Sequence, residues 1–431
     1  MANRRNVALL LAILALIGGL ATGRDILFNL AYLFGLLLIV SFAWAWVNIN
    51  WLHLSRLTRA RRTQVGRPLE ERFTVRNTGI LPKLWLEVRD FSDVPGHHAS
   101  QVINNLGPRS TFSWRVMTIC SQRGRYQLGP MRLTTSDPFG FFPLTRELDQ
   151  TSHMVVYPMT VDVHQFALPV GILPGGDALR RRTHYVTTNA AGVRDYAPGD
   201  SFGRIHWPST ARRDRLIVKE FELDPLADIW IIPDMAGFVH FSSGDALPQI
   251  TANNIPLWMK LKDKAFQLPA STEEYVVTIA ASLAQYFLRH DRAVGMLAYG
   301  QSHEIVQPDR GERQLNRILE TLAVLRAAGK VAISDVLQAE SHLLPRGTTI
   351  IVVTPTTRED WVLAARQQMQ RGLRVVSVLV DPESFGASFS ATGLAGLLQA
   401  SNVGTYVVHN GDNLTDVLSS GHRRSRYFTV A

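Results

Sequence analysis

The sequence is poor in cysteine, in lysine and in charge. Its single cysteine, Cys120, cannot form an internal disulfide and excludes the CxxC motifs of zinc and redox sites. Lysine supplies only six of the 45 basic residues, so the formal net charge of +9 rests on arginine. Because no recognisable nucleic-acid-reading module accompanies that charge, we predict no nucleic-acid partner.

Charged residues make up 19% of the chain, below the roughly 25% of an average globular protein, whereas apolar residues make up 46%. This composition excludes disorder and favours a membrane segment. The chain also lacks a GxxxxGK[ST] P-loop and a GxSxG nucleophile elbow, which argues against ATP hydrolysis through a P-loop and against a Ser/His/Asp hydrolase. A length of 431 residues is enough for two or three domains.

Residues 1–50 contain two long apolar runs, 7–23 and 26–47, which are separated by Arg24 and Asp25. As helices rising 1.5 Å per residue, the runs reach about 26 Å and about 33 Å, against a hydrocarbon core of roughly 30 Å. They predict a transmembrane hairpin. A cleaved signal peptide is the alternative for the first run, but the second, longer run would still act as a stop.

Arginines flank both outer ends of this hairpin, and by the positive-inside rule both ends lie in the cytoplasm. We therefore predict a multi-pass protein of the inner (plasma) membrane, with the lipid bilayer as a partner and the soluble domains in the cytoplasm. Residues 51–64 are predicted to be a basic juxtamembrane linker. The flanking residues are Arg4, Arg5, Arg56, Arg59, Arg61 and Arg62, with Trp44, Trp46 and Trp51 as interfacial anchors.

Two soluble domains are predicted after the linker. Residues 65–160 contain short alternating strands such as KLWLEVRD, in which Leu84, Leu86 and Val88 share a face, so they predict an antiparallel, Ig-like β-sandwich. Residues 226–418 alternate buried apolar strands with helical stripes, a pattern that predicts a doubly wound α/β domain. Residues 238–270 form an irregular insertion after its first strand, Ser271 begins its clearest helix with a capping box to Glu274, and 419–431 are a basic tail.

The connector at 161–225 carries the densest run of unusual residues. Between 192 and 222 it places Tyr, His and Trp among many charges, which solvated linkers seldom do. We expect an ordered element whose ion pairs join the two domains or present a partner surface. The residues are Arg194, Asp195, Tyr196, Pro198, Gly199, Asp200, Arg204, His206, Trp207, Arg212, Lys219 and Glu220.

The same segment resembles the bacterial family classed as domain of unknown function 58. The family resemblance implies a von Willebrand factor type A-like fold for residues 226–418. It also implies an association with MoxR-type AAA+ ATPases, often beside membrane transglutaminase-like proteins, which makes such a protein a second candidate partner. The resemblance is carried by GVRDYAPGD (192–200), RIHW (204–207), TAR (210–212) and VKEFE (218–222), supported by RGRYQLGP (123–130), DPFGFF (137–142) and VVYP (155–158).

The metal site of such domains is degenerate in this sequence. Metal-binding type A domains carry D-x-S-x-S after the first strand, because two hydroxyls and a carboxylate supply hard oxygens to Mg²⁺. Asp234 is present, but Ala236 and Phe238 stand in the two serine positions. One carboxylate rarely holds Mg²⁺, so we predict no metal and no cofactor.

These observations predict a non-enzymatic, membrane-anchored scaffold or adaptor that faces the cytoplasm. It would work with a MoxR-type ATPase in the assembly or maturation of envelope protein complexes. One alternative is a surface-exposed adhesion or receptor protein with inverted topology. The other is a hydrolase that uses His206, which is near Ser209, Asp195 and Asp200 along the chain, although proximity in sequence does not establish a triad.

Overall fold

A computed structural model of the chain describes residues 4–167, 190–197, 205–221, 228–244 and 267–419. The chain divides into two compact units. The tail at 420–431 and most of the insertion after the first strand of the α/β domain, residues 245–266, lie outside the described residues. The first unit comprises Met1–Thr160, Ser243–Ala270 and Leu319–Leu325, and the second comprises Val161–Ser242, Ser271–Ile318 and Arg326–Ala431.

The first unit begins with two apolar helices, α1 (Arg4–Thr22) and α2 (Asp25–Ile49). Both are long and apolar enough to cross a membrane by length and composition, as predicted. Most of their large apolar side chains are exposed, including Leu20 at 71% and Ile39 at 68%. Gly23 ends α1 with a positive φ of 66°, a conformation that glycine adopts without a steric penalty, and so allows the tight return into α2.

Three sheets follow the helices, in the strand orders β1-β3-β6, β2-β10-β7 and β5-β4-β8-β9. Every pair is antiparallel except β2 with β10, which is parallel. The first and third sheets contribute to one buried apolar cluster, with Phe73 on β3 and Leu86 on β4 fully buried. The strands are β1 (Leu52–Thr58), β2 (Arg62–Gln64), β3 (Pro68–Asn77), β4 (Lys83–Asp90), β5 (Gln101–Leu106), β6 (Thr111–Ile119), β7 (Gly124–Leu128), β8 (Met131–Thr135), β9 (Leu144–Leu148) and β10 (Ser152–Tyr157).

The segment 51–64 is not the linker that its arginines suggested. Strand β1 pairs with β3 over seven residues, from Leu52 opposite Asn77 to Thr58 opposite Glu71. Leu52 and Leu54 enter the buried cluster, so apolar residues at alternate positions fix the strand. Arg56 lies on the same strand and is itself nearly buried, because carboxylates surround its guanidinium.

The C-terminal end of α2 is joined to the sheets by polar contacts. Lys83 is fully buried and donates a hydrogen bond to the Val47 carbonyl in the last turn of α2. Burial lowers the pKa of the Lys83 ammonium. Asn48 donates to the Thr135 hydroxyl on β8 at 3.2 Å. Lys83 is thus buried at the start of β4. Leu84, which was predicted to share a face with Leu86 and Val88, is 43% exposed, whereas Leu86 and Val88 are buried.

The remaining strands form one hairpin and one larger sheet. The larger sheet has the order β15-β14-β13-β16-β17-β18, and it is parallel except for the edge strand β15, which sequence reasoning did not identify. Every residue of β13 and β16 is buried, as continuous apolar runs predict for strands covered on both faces. The strands are β11 (Ala190–Asp195), β12 (Ile217–Phe221), β13 (Ile229–Pro233), β14 (Val294–Tyr299), β15 (His303–Asp309), β16 (Thr349–Thr354), β17 (Arg374–Val380) and β18 (Gly404–Val408).

Seven further α-helices lie in the described part of the chain. The capping box predicted at Ser271 does not form, because the Ser271 hydroxyl makes no capping hydrogen bond and its backbone pairs with Ser242 instead. That bridge joins the two described ends of the insertion. The helices are α3 (Trp207–Arg213), α4 (Thr272–Arg289), α5 (Gly311–Val324), α6 (Ile333–Ala339), α7 (Asp360–Gln370), α8 (Thr392–Ala400) and α9 (Leu414–Ser419).

The start of the predicted connector packs within the second unit. The Val161 amide donates to the Ser282 hydroxyl on α4 at 2.9 Å. The Phe166 ring stacks on Tyr406 of β18, with ring centroids 4.6 Å apart. Residues 161–167 are therefore fixed to this unit by hydrogen bonds and an aromatic contact.

Candidate functional site

Part of the unusual connector segment forms a hairpin. Strands β11 and β12 are antiparallel, with Arg194 opposite Val218 and Asp195 opposite Ile217. Lys219 and Glu220 lie on β12, opposite Val193 and Gly192. Four other predicted site residues, Pro198, Gly199, Asp200 and Arg204, lie outside the described residues.

Apolar side chains form the base of this hairpin. Ile205, Ile217 and Val218 are all less than 5% exposed. The backbone supports them, because the His206 amide donates to the Ile217 carbonyl at 2.7 Å and the Tyr196 amide donates to the Leu216 carbonyl at 2.9 Å. The described part of the connector is thus an ordered element with a buried side.

The short helix α3 reverses the chain between His206 and β12. Pro208 lies in its first turn, where a missing amide hydrogen costs nothing. Asp214 follows the helix with a left-handed φ of 51°, which aspartate tolerates better than most residues. The Thr210 hydroxyl accepts a hydrogen bond from the Ile217 amide at 3.1 Å and so fastens the helix to β12.

The outer side of the same element exposes an aromatic and several cations. Trp207 is 64% exposed, and Leu216 is 40% exposed. Arg212 and Arg213 in the last turn of α3 are also exposed. Tryptophan and arginine are the residue types most enriched at the energetic centres of protein interfaces, so this surface is suited to binding a protein partner.

Two polar pairs occur in this element. The Asp195 carboxylate pairs with the Arg215 guanidinium at 3.1 Å, and both side chains are more than half exposed. Such an exposed pair contributes little to stability. The His206 Nδ1 lies 2.7 Å from the Ser209 hydroxyl, which is hydrogen-bond distance. The structure thus brings His206 and Ser209 together and places Asp195 in an ion pair with Arg215.

Asp234 occupies the second candidate position, at the carboxyl end of β13. The neighbouring strand β16 ends at Thr354, and the chain proceeds from these two strands toward opposite edges of the sheet. Ligands of parallel sheets commonly bind at such a point. Here the Asp234 carboxylate accepts a hydrogen bond from the Thr354 hydroxyl at 2.7 Å and another from the Ala236 amide at 3.1 Å.

Burial governs the chemistry of this carboxyl group. Asp234 is 4% exposed, and burial raises its pKa despite the hydrogen bonds from Thr354 and Ala236. Neither Ala236 nor Phe238 offers a side-chain oxygen. Within the described ranges no cluster of three or more His, Cys, Asp and Glu side chains is arranged to hold a metal ion. The residues present therefore do not fit the Mg²⁺ site of metal-binding type A domains.

Aromatic side chains gather beside the loop that follows Asp234. Phe238 is 52% exposed, and Phe241 packs edge-on against Phe389, with ring centroids 5.2 Å apart. His240 donates from Nε2 to the Asp234 carbonyl at 2.8 Å, which fixes the hydrogen on that nitrogen. The side chains at this edge of the sheet are therefore mainly apolar, whereas a metal site would need oxygen ligands here.

Sequence reasoning missed a buried ionic cluster in the first unit. The His97 side chain is 2% exposed and lies 3.0 Å from Asp90 and 3.3 Å from Glu71. Arg56 holds Glu71 through two hydrogen bonds of 2.8 Å and reaches Asp90 at 3.1 Å. The available signal was a set of charged residues at alternating positions of apolar strands.

Arg123, in the RGRYQLGP segment, is another buried cation. It is fully buried and donates to the backbone carbonyls of Leu322, at 2.9 Å, and Leu325. The last carbonyls of a helix and the one that follows lack intrahelical partners, so a guanidinium there satisfies acceptors that are buried. This contact gives Arg123 a structural role.

Comparisons with known proteins identify one family. Residues 192–259 match the model of the family described as protein of unknown function DUF58. The match contains the hairpin, α3 and Asp234. The uncharacterized protein YeaD of Bacillus subtilis is 26% identical over 265 residues, which cover 58% of this chain and 57% of that protein. This chain thus spans little more than half the length of that relative.

Two solved structures match about a quarter of the chain each. The CARDB domain of a Pyrococcus furiosus protein, described in complex with di-metal ions, has 19% identity and a TM-score of 0.18, covering 24% of this chain and 91% of that one. The bacterial hydrophobin BslA has 9% identity and a TM-score of 0.17, covering 24% and 94%. TM-scores this low carry no argument about fold or function.

Proposed function

Because this chain belongs to the DUF58 family, we propose that it is a membrane-anchored adaptor, with its soluble units in the cytoplasm. It would recruit a MoxR-type AAA+ ATPase for the assembly or maturation of envelope protein complexes. The family resemblance supplies the partner class, and a transglutaminase-like membrane protein is the second candidate. The role is one of binding, without catalysis, metal or cofactor.

The exposure of α1 and α2 supports the membrane anchor. A core helix of a soluble protein buries its apolar side chains, whereas here Leu33 and Leu36 in the middle of α2 are 59% and 62% exposed. An apolar surface of this extent is stable in water only when it is covered. A bilayer would cover the exposed apolar side chains of both helices at once. Arginines at the outer helix ends favour the cytoplasmic orientation over the inverted, receptor-like one.

Two finer assignments belong to the same proposal. The first is a β-sandwich arrangement for residues 65–160, supported by the apolar cluster that two sheets share. The second is a von Willebrand factor type A-like fold for residues 226–418, supported by the six-stranded order and by Asp234 at the end of β13. A type A-like domain without metal-ligating oxygens can serve as a docking platform.

The exposed surface of α3 is the observation that carries the adaptor role. Trp207, Arg212 and Arg213 project from an element whose opposite side is buried. Because the buried side holds the element in place, its backbone is ordered before a partner binds, so binding costs the conformational entropy of the exposed side chains and not that of the backbone.

The test is crosslinking mass spectrometry on the full chain, purified in mild detergent with its native partners. We expect crosslinks from residues 205–221 to an AAA+ ATPase, and their loss in Trp207→Ala. Leu363→Ala is the matched control, because Leu363 on α7 is also 64% exposed and apolar but lies outside the motif. Equal capture of the ATPase by wild type and Trp207→Ala, or no ATPase in either, would overturn the proposal.

A hydrolase remains the second candidate, because His206 lies 2.7 Å from the Ser209 hydroxyl. A histidine at this distance can accept the proton of an attacking hydroxyl. The hydrolase predicts that His206→Ala and Ser209→Ala each abolish turnover of an ester probe while the melting temperature stays unchanged. Equal, background-level turnover in wild type and both variants would eliminate it.

Membrane orientation separates the adaptor from a receptor. In sealed spheroplasts, externally added protease should leave the soluble units intact if they are cytoplasmic, and permeabilisation should make them sensitive. Digestion before permeabilisation would favour the adhesion or receptor alternative with inverted topology.

A further inference from the structure

A loop of aromatic residues lies beside the ends of both apolar helices. This aromatic loop, residues 137–142 between β8 and β9, reads DPFGFF. Phe142 packs edge-on against Phe42 of α2, with ring centroids 5.5 Å apart. The Arg5 guanidinium of α1 lies over the same ring, 6.0 Å from its centroid. The loop is therefore in contact with the last part of α2 and the first turn of α1.

The loop is held in a fixed shape. The Asp137 carboxylate accepts hydrogen bonds from the amides of Phe139 at 3.0 Å and Phe142 at 2.7 Å. The Gly140 amide closes a turn onto the Asp137 carbonyl at 3.1 Å, and Gly140 has a positive φ of 72°. Phe139 stacks on Phe141 at 5.6 Å and remains 51% exposed. The structure thus presents a phenylalanine outward on a preorganised turn.

The depth of this loop follows from helix geometry. Phe42 lies about 26 Å along α2 from Asp25 at 1.5 Å per residue, within the roughly 30 Å of a hydrocarbon core. Trp46 lies about 32 Å along by the same rise, where interfacial aromatics are expected. A loop in contact with Phe42 is therefore level with the boundary between acyl chains and headgroups.

We propose that the aromatic loop is an interfacial membrane anchor, which inserts Phe139 into the headgroup and upper acyl layer of the bilayer that holds α1 and α2. This inference rests on the membrane anchoring proposed above. Phenylalanine on an interfacial element enters the boundary between headgroups and acyl chains, and the Arg4 and Arg5 side chains at the same level favour anionic headgroups. With α2 fixed to the sheets through Lys83 and Asn48, the loop is a further contact that sets the tilt of the first unit against the membrane.

The test uses single cysteines labelled with an environment-sensitive fluorophore in the full chain. Native Cys120 is 1% exposed, so the unsubstituted chain serves as the labelling blank. Phe139→Cys is the test position. Leu33→Cys, in the middle of α2, reports whether the helices enter the bilayer at all. Met117→Cys is the matched control, because Met117 is 39% exposed but pairs with Glu70, about 23 Å along β3 from Asn77 at the helix-proximal end.

The labelled proteins are reconstituted into phosphatidylcholine and phosphatidylglycerol vesicles with lipids that carry nitroxide quenchers at shallow and deep positions. We expect Phe139→Cys to show a blue-shifted emission and loss of intensity with the shallow quencher, and Leu33→Cys to lose intensity with the deep one. The fluorophore at Met117→Cys should show the emission that it has in water.

Two results would overturn the inference in different ways. Quenching at Leu33→Cys with a water-like signal at Phe139→Cys would remove the loop anchor and leave the membrane anchor standing. A water-like signal at Leu33→Cys would remove the membrane anchor and the loop with it.

Discussion

Asp90 in the first unit and Asp234 in the second are both buried aspartates, yet their pKa values shift in opposite directions. Burial is the largest influence on each and acts to raise the pKa. At Asp90, hydrogen bonds from His97 and Ser92 and the charge of Arg56 outweigh burial, so the pKa falls below its usual value. At Asp234, the Thr354 hydroxyl and the Ala236 amide do not, so the pKa rises.

The difference teaches what a buried carboxyl group can be used for. Beside a guanidinium, Asp90 stays ionised and holds charged partners together. Asp234 sits where parallel sheets commonly bind ligands, but burial outweighs its hydrogen bonds and the nearby His240 and shifts the carboxyl toward its neutral form. Its hydrogen bond from Thr354 joins β13 to β16. A carboxyl group at a common ligand-binding position is therefore not necessarily a metal ligand, because the neighbouring groups determine whether it is ionised.

Removing the cation from Asp90 should have the largest effect. Arg56→Met leaves Glu71 and Asp90 buried without the guanidinium that contacts both, and losing one partner of a buried ionic cluster costs about 3–5 kcal/mol of unfolding free energy. Urea titration in mild detergent measures the change. The variant would make the surroundings of Asp90 resemble those of Asp234.

Arg59→Met is the matched control for Arg56→Met. Arg59 pairs with Glu70 at 2.8 Å, but its side chain is 81% exposed, so the unfolding free energy should stay close to that of wild type. Equal losses in the two variants would show that burial does not strengthen the Arg56 cluster and would remove the basis of the comparison.

Substitution of Asp90 should have the next largest effect on the unfolding free energy, and this effect should depend on pH. The pKa of Asp90 in the folded state lies below the unfolded value of about 3.9, so the folded state binds fewer protons than the unfolded state between the two values. The ionised Asp90 therefore stabilises the fold fully above about pH 3.9, and this stabilisation is lost as the pH falls through the folded pKa. Asp90→Asn should be less stable than wild type by about 1–3 kcal/mol at pH 7. The gap in urea midpoint should narrow as the pH falls below about 4, whereas a constant gap would mean that Asp90 is not the titrating group.

The regular parts of this fold were predictable because they follow periodic patterns. Uninterrupted apolar runs predicted α1 and α2 to within three residues at each end, and buried runs predicted β13 and β16. These signals are local, because each depends on neighbours within one helix or strand. Strand β15 has a mixed exposure pattern at the sheet edge, and it gave no such signal.

The ionic cluster and the segment 51–64 were not predictable for a common physical reason. Arginine on an alternating strand is most often solvated, so Arg56 was interpreted as part of a basic linker. Its partners Glu71 and Asp90 lie far from it in sequence, as does His97, which contacts both carboxylates, and these residues meet only after the strands pair. At the candidate site, sequence reasoning located the hairpin residues but could not tell that Asp195 would pair with Arg215.

The smallest effect is expected at Asp234, and it has the opposite pH dependence. The folded pKa lies above the unfolded value of about 3.9, so the folded state binds more protons, and the stabilisation is full below 3.9 and falls as pH rises through the folded pKa. Asp234→Asn is neutral at every pH and keeps an oxygen for the Ala236 amide. At pH 7 it should be as stable as wild type or more stable, by about 1.4 kcal/mol per unit of pKa shift.

That advantage should disappear as the pH is lowered toward 4, which urea midpoints at both pH values would measure. Thr354→Ser is the control, because it keeps the hydroxyl that donates to Asp234. If Asp234→Asn instead lost stability at pH 7 and recovered it in acid, Asp234 would be an ionised group with a cationic partner. Asp90 and Asp234 would then both be ionised in the folded protein, and Asp234 would need a cationic partner at the end of β13.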